Sequence, residues 1–266
     1  MKKKTKIIIS SIGLAVVILG IAIWVILPRA ALGIMADKYI VPSIDYHKGG
    51  YFDGYDVRND SFKRVENEFI ALEIPSGFEL EKQPDEEKKN LPHLKRYERN
   101  DTKETVLLFA KPNDTVMDMT DYAMYAEDEK IPDEKAFKRL LDTFESFGNG
   151  IPDSRFAAYK CIVLLDKDDY SFWDMDKATA FTVLGTFRLS ALSVYKDAYV
   201  YESDNICGIL YLSENSRNGK YEAAFDAYPV SDLNYSYTIM MYMNSLEDIY
   251  AVINSVEFIE DQRCAN

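Results

Sequence analysis

The chain has 266 residues, 31 basic and 44 acidic, for a formal charge of −13. Four of the positive charges are Lys2, Lys3, Lys4 and Lys6, so residues 7–266 carry −17, which argues against nucleic acid and against docking on anionic lipid, since both need a basic face. With 19 Tyr and 14 Phe the chain is no disordered tail, and three cysteines are too few for a disulfide scaffold of this length.

An uncharged apolar run extends from Ile7 to Leu27 directly behind the lysines. As a helix it is about 31 Å long, matching a hydrocarbon core of about 30 Å. Trp24 lies near its outer end, where an amphipathic ring favours the lipid–water interface, and Pro28 and Arg29 close it. The run exceeds a secretory signal, whose apolar stretch is about 7–15 residues. The weak cleavage position after Ala36 has Ile34 three residues before the cut. The expectation is a retained single-pass anchor, residues 1–28, with its N-terminus in the cytoplasm and the rest of the chain extracytoplasmic at the cell membrane.

Residues 29–62 read as a juxtamembrane connector, mixing Pro42, Gly49, Gly50 and Gly54 with Tyr39, Tyr46, Tyr51, Phe52 and Tyr55 in no sustained period. One extracytoplasmic domain is expected over 63–260, starting near Val65, followed by a polar tail over 261–266. Phe69, Ala71 and Glu73 alternate with Ile70, Leu72 and Ile74 to give a strand ended by Pro75-Ser76-Gly77. Lys95–Arg99 and Glu104–Lys111 read as a hairpin turning at Asn100-Asp101-Thr102. Thr115–Glu129 suits helix or strand. Asp133–Phe147 reads as a helix, with Phe137, Leu140, Leu141, Phe144 and Phe147 on one stripe.

Tyr159–Leu165 reads as a buried strand. Asp174–Tyr195 reads as a helix with two apolar faces, Phe181, Leu184 and Leu192 on one, Ala180, Phe187, Ala191 and Val194 on the other. Arg188 is the sole charge between Lys177 and Lys196. Such a helix is covered on two sides or presents a surface to a partner or membrane, and burial in a layered domain is the favoured expectation, while the Thr and Val content leaves a strand reading open. Tyr199–Glu202, Cys207–Leu212, Tyr221–Tyr228 and Tyr235–Met243 then read as strands, with a hairpin turn at Asn218-Gly219. Ser245 caps a closing helix to Asn254, and Val256–Ile259 is a short last strand. The fold class expected is α+β, a central antiparallel sheet flanked by helices as an α/β/α sandwich.

Chemical motifs are scarce. Only His47 and His93 are available for imidazole chemistry, and no HExxH, CxxC, GxGxxG or GxxxxGK[ST] spacing occurs, so no cofactor and no nucleotide is expected. Asp166, Asp168 and Asp174 approximate positions one, three and nine of a calcium loop. Ser171 stands where its glycine belongs and Lys177 where its glutamate belongs, which favours a solvated, helix-capping loop over a metal site. Cys161 and Cys207 read as buried thiols that a single bridge could join. No pair of carboxylates stands out for glycoside cleavage.

Phe69-Ile70-Ala71-Leu72-Glu73-Ile74-Pro75-Ser76-Gly77-Phe78, together with Ile249, Ile253, Ser255, Val256 and Phe258, resembles the opening strand and the closing helix-then-strand of the PsbP-like family. The resemblance covers about a tenth of the chain. It implies helices around a central antiparallel sheet, often membrane-tethered in bacteria, and a non-enzymatic role; no binding residue carries over. The functional expectation is an anchored domain that binds or supports another protein through Phe181, Phe187, Arg188 and Val194. The alternative is an exported hydrolase using carboxylates or a divalent metal.

Overall fold

A computed structural model describes residues 25–54, 61–82, 94–109, 142–147, 150, 152–192, 195–215, 219–233 and 236–259. Residues 25–46 form one helical rod, α1. It is π-wound over Ala36–Ile40, where the Val41 N–H reaches back to the Ala36 carbonyl, and α-helical again over Val41–Tyr46. Pro42 has no N–H to give and crowds the preceding turn, so the widened turn just before it lets the rod continue. The stretch expected to be an aperiodic connector is therefore largely helical, and Ala36 and Ile40 are buried in the domain.

The strands are β1 (Gly49–Tyr51), β2 (Phe62–Glu66), β3 (Ile70–Pro75), β4 (Glu79–Leu80), β5 (Lys95–Arg99), β6 (Glu104–Phe109), β7 (Asp197–Glu202), β8 (Ile206–Asn215), β9 (Lys220–Pro229), β10 (Tyr237–Met243) and β11 (Glu257–Phe258). Eight of them form one sheet in the order β1-β7-β8-β9-β10-β6-β5-β4, and β11-β3-β2 form a second. The large sheet is mixed rather than wholly antiparallel as expected. β1 runs parallel to β7, Gly49 opposite Ala198 and Tyr51 opposite Val200. A parallel neighbour needs a long crossover, and here everything between β1 and β7 separates the two in sequence.

Helices follow at 142–147 (α2), Arg155–Val163 (α3), Met175–Ala191 (α4) and Leu246–Asn254 (α5). Ser245 caps α5 as its sequence requires, its hydroxyl accepting the Asp248 N–H at 3.2 Å. The α5 face of the large sheet buries Ile206, Leu210 and Leu212 of β8 and Phe225 of β9 with the second sheet and α5. On the opposite face Val200, Ile209, Tyr211 and Tyr228 pack under Phe156 and Val163 of α3. α1 and α4 lie beyond α3, joined by Ala36, Ile40, Ala158, Ile162, Phe181 and Leu184. The observed class is α+β, a mixed sheet flanked by helices.

Tyr159–Leu165 was expected as a strand and is mostly the C-terminal half of α3. Two opposite sides of α3 are apolar because Phe156 and Val163 face the sheet while Ala158 and Ile162 face α4. A helix sandwiched this way shows no single stripe, and its Cys-Ile-Val-Leu-Leu run imitates a buried strand. The hairpin of β5 and β6, the strands β7 to β10 and the closing α5–β11 unit fall where the pattern places them. Gly219 takes φ +66, as the hairpin turn requires. Residues 1–24, Thr115–Glu129, all of Asp133–Phe147 before residue 142, Asn218 and the tail 261–266 lie outside the described residues. Among the described residues no helix is long and apolar enough to cross a membrane.

α1 and α4 touch at Gly185, where a Cβ would collide with the Ile40 side chain. Ile40 is β-branched and stiff at χ1, so it cannot swing aside. Gly185→Val is expected to cost about 1–3 kcal/mol in urea unfolding, and Ile40→Ala in the same chain should recover part of that loss.

Candidate functional site

Of the residues expected to meet a partner, Phe181 is fully buried and Arg188 is 3% exposed. Phe187 is half-buried and Val194 lies outside the described residues. Along its described side chains α4 is covered, with Ala180 also buried on its second apolar side. Its buried Thr182 is satisfied within the helix, donating its hydroxyl to the Ala178 carbonyl at 2.8 Å.

Among the described residues Arg188 pairs with no carboxylate. Its guanidinium donates to the carbonyls of Val163 (2.6 Å), Leu165 (2.7 Å) and His47 (3.0 Å), while Nε has no partner among them. Val163 is the last residue of α3 and Leu165 lies just past its end, so the cation sits at the negative end of that helix. Burial lowers its pKa, partly offset by Asp166. Arg188→Met would strand three carbonyls and is expected to destabilise by about 3–5 kcal/mol, the cost of breaking a buried charged network, read from equilibrium unfolding.

The aspartates before α4 work as caps. Asp166 accepts the Asp168 N–H at 3.0 Å, and Asp169 returns the bond to the Asp166 N–H at 2.8 Å. Asp174 accepts from Asp176 (3.2 Å) and Lys177 (3.1 Å) and so starts α4. Among the described residues no three His, Cys, Asp or Glu side chains converge on a point where an ion could sit. His47 is held by the Lys196 carbonyl, and His93 lies outside the described residues. Neither Cys161 nor Cys207 is in a disulfide, and burial, reinforced by Glu202, pushes the Cys207 thiol up and away from reactivity.

The polar group that sequence reasoning missed lies on the helix side of the large sheet. Ile209, Asp226 and Thr238 form one row across β8, β9 and β10. The Thr238 hydroxyl donates to Asp226 Oδ1 at 2.6 Å. Protein crowds Asp226, yet part of its surface stays open to solvent. Burial raises its pKa, only partly countered by Thr238 and by Arg155 at the start of α3. Ser154 caps that helix start, accepting the Ala157 N–H at 3.2 Å, and the Arg155 guanidinium lies 5.7 Å from the Tyr159 ring centre.

Two phenols complete the wall. Burial, with Asp226 adding, pushes Tyr228 up, and burial with Tyr242, Asp226 and Glu222 pushes Tyr195 up to about 12. Both stay neutral hydroxyls at any physiological pH. The surroundings of Asp226 therefore hold two neutral phenols, one arginine and an acid whose pKa burial raises. Glu222 is the next carboxylate on this face of β9, four residues and so about 13 Å along the strand from Asp226. That exceeds the carboxylate spacing of either glycosidase class, about 5–9.5 Å. The signal in the sequence was an aspartate in an otherwise apolar strand, Ala223-Ala224-Phe225-Asp226-Ala227-Tyr228.

No protein-family model matches the chain, and no curated protein matches it either.

Because burial holds Asp226 above the usual carboxylate range, the folded chain keeps a proton that the unfolded chain has released. Its contribution is fully present below about pH 4 and is lost as pH rises toward the folded value. Asp226→Asn is expected to flatten that decline, with about 1.4 kcal/mol regained per unit of elevation removed. Thermal melts from pH 4 to 8 check it.

Proposed function

We propose that the chain is a single-pass membrane protein whose extracytoplasmic α+β domain acts by binding a partner protein. The observation that supports this most is the unbroken α1. Val25, Ile26 and Leu27, the last residues of the apolar run, are exposed, Leu27 at 59%. Two residues on, at Arg29, the same helix begins to be covered, and by Ala36 it is in the core. A helix greasy and bare at one end and integrated at the other suits lipid below and a domain above. The lysines and the −17 charge of the remainder fit the orientation already drawn.

The binding surface in this reading is the partly open patch around Asp226, taken as a shallow crevice. Tyr195 and Tyr242, both half-buried, offer it flat amphipathic surface of the sort enriched at interfaces, beside Arg155 and the paired Asp226 and Thr238. The alternative, a hydrolase using carboxylates or a divalent metal, finds less support: the next carboxylate on this face of β9, Glu222, is about 13 Å along the strand from Asp226, and Asp166 and Asp174 are taken up in capping.

Membranes from cells expressing the full chain test both parts. The protein is expected to resist alkaline extraction, and protease added outside intact cells should remove the domain. Extraction, or sparing of the domain until lysis, overturns the anchored reading. A photo-crosslinking side chain at Tyr242 is expected to give a discrete adduct that the same probe at exposed Glu247, across the sheet, does not. Equal labelling at both sites, or none at Tyr242, overturns the binding surface.

A further inference from the structure

The loop before α4 brings two aromatic side chains to the foot of α1. α1 and α4 run side by side in the same direction. Gly185 meets Ile40, and three residues further along α4 Arg188 reaches the His47 carbonyl, further along α1. At about 1.5 Å per residue, Met175 at the start of α4 lies about 15 Å below the Gly185–Ile40 contact, and Leu27 about 20 Å below it. Trp173, two residues before Met175, is therefore level with the end of the apolar run to within about one helical turn.

The descent of the chain into this loop gives the same placement. Lys167 lies 3.8 Å from Asp45, near the far end of α1. Gly33, lower down, is where a Cβ would meet the Tyr170 hydroxyl at 3.1 Å and the Phe172 ring at 3.9 Å. So the chain falls along α1 from residue 167 to residue 172, and Trp173 comes next. Its ring is edge-on to Phe172 at 5.1 Å and 79% exposed. On α1 itself Ile34 is 64% exposed and Met35 46%. Arg29 stands at the same level, and Asp174 spends its charge on the N–H groups that open α4.

We infer that the Phe172–Trp173 loop rests in the interfacial layer of the bilayer beside the anchor, seating the domain directly on the membrane. This rests on the anchored reading above. Trp is enriched at this depth because its ring is apolar and its N–H is polar. No linker intervenes, since packing against α1 begins at Arg29, two residues past Leu27. The seat takes a lipid surface and not a specific headgroup, for the surrounding acids would repel anionic lipid.

Trp24 and Trp173 are the two tryptophans of the chain, so each can be read alone. The full chain is reconstituted in phosphatidylcholine vesicles as Trp24→Phe, leaving Trp173, and as Trp173→Phe, leaving Trp24. Trp173 fluorescence is expected to be quenched at least about twofold more by a headgroup nitroxide lipid than by one labelled deep in the acyl chain, as interfacial depth requires. It should also be shielded from aqueous acrylamide. Trp173 indifferent to both lipid quenchers overturns the seat, whether acrylamide reaches it or a second protein copy shields it. Trp24 quenched while Trp173 is not removes the seat and leaves the anchor standing. Loss of lipid quenching at Trp24 as well removes the anchored reading itself.

Discussion

The buried guanidinium of Arg188 is the constraint on which the helical side of this fold depends. A full charge 3% exposed and paired with no carboxylate among the described residues is costly unless other groups replace its water. Three carbonyls do so, two from the end of α3 and one from the end of α1. The partial negative charge of a helix C-terminus takes the place of a counter-ion. The planar fork of arginine can serve acceptors on two elements at once, which a lysine ammonium does less well. Gly49 is part of the same arrangement, because a side chain there would strike both the Val163 carbonyl and the guanidinium. α4, α3, α1 and the parallel edge strand β1 thus meet at a single residue.

This junction also sets the crevice. α3 is held at its C-terminus by Arg188 and carries Arg155 at its N-terminus, so the position of Arg155 over the sheet follows from how the far end is fixed. Phe156 against Tyr228, 5.6 Å between ring centres, presses the same end down onto β9. The acid of Asp226, buried enough to be raised in pKa, meets a cation delivered by a helix that a second cation positions.

What was legible in the sequence follows from how many sides of an element are buried. α5 has one inner face, with Ile249 and Ile253 in the core, and its cap is a local feature, so both could be read. β7 to β10 alternate or run apolar between clear turns. α3 is apolar on two sides and imitates a strand, and α1 joins an apolar run to a half-buried helix through a π turn, so neither carries one period. β1 is Gly-Gly-Tyr, three residues whose pairing with β7 depends on a tertiary partner about 150 residues away. The crevice was illegible for a related reason. Asp226 looks like a flaw in a strand until Thr238 and Arg155, from elsewhere in the chain, are placed around it. Arg188 stood out by charge, but its destination depends on backbone carbonyls, and carbonyls leave no mark in a sequence.

In the anchored reading proposed above, the length of α1 would give the two surfaces of the domain different neighbours. His47 is twenty residues past Leu27, so the Arg188 junction stands about 30 Å above the end of the apolar run, slightly less if the helix tilts by about 20°. Arg155 is eight residues of α3 from Val163, about 12 Å from that junction at most. Even if α3 pointed straight down, the mouth of the crevice would remain about 15 Å above the hydrocarbon edge, beyond an interfacial layer of about 5–8 Å. On that reading lipid headgroups would not reach Asp226. An occupant of the patch around it would come from the aqueous side or from another protein that stands as tall, while the aromatic foot of the domain would meet the bilayer. A rod of this height, seated at one end, would hold the Asp226 patch at a fixed distance from the membrane.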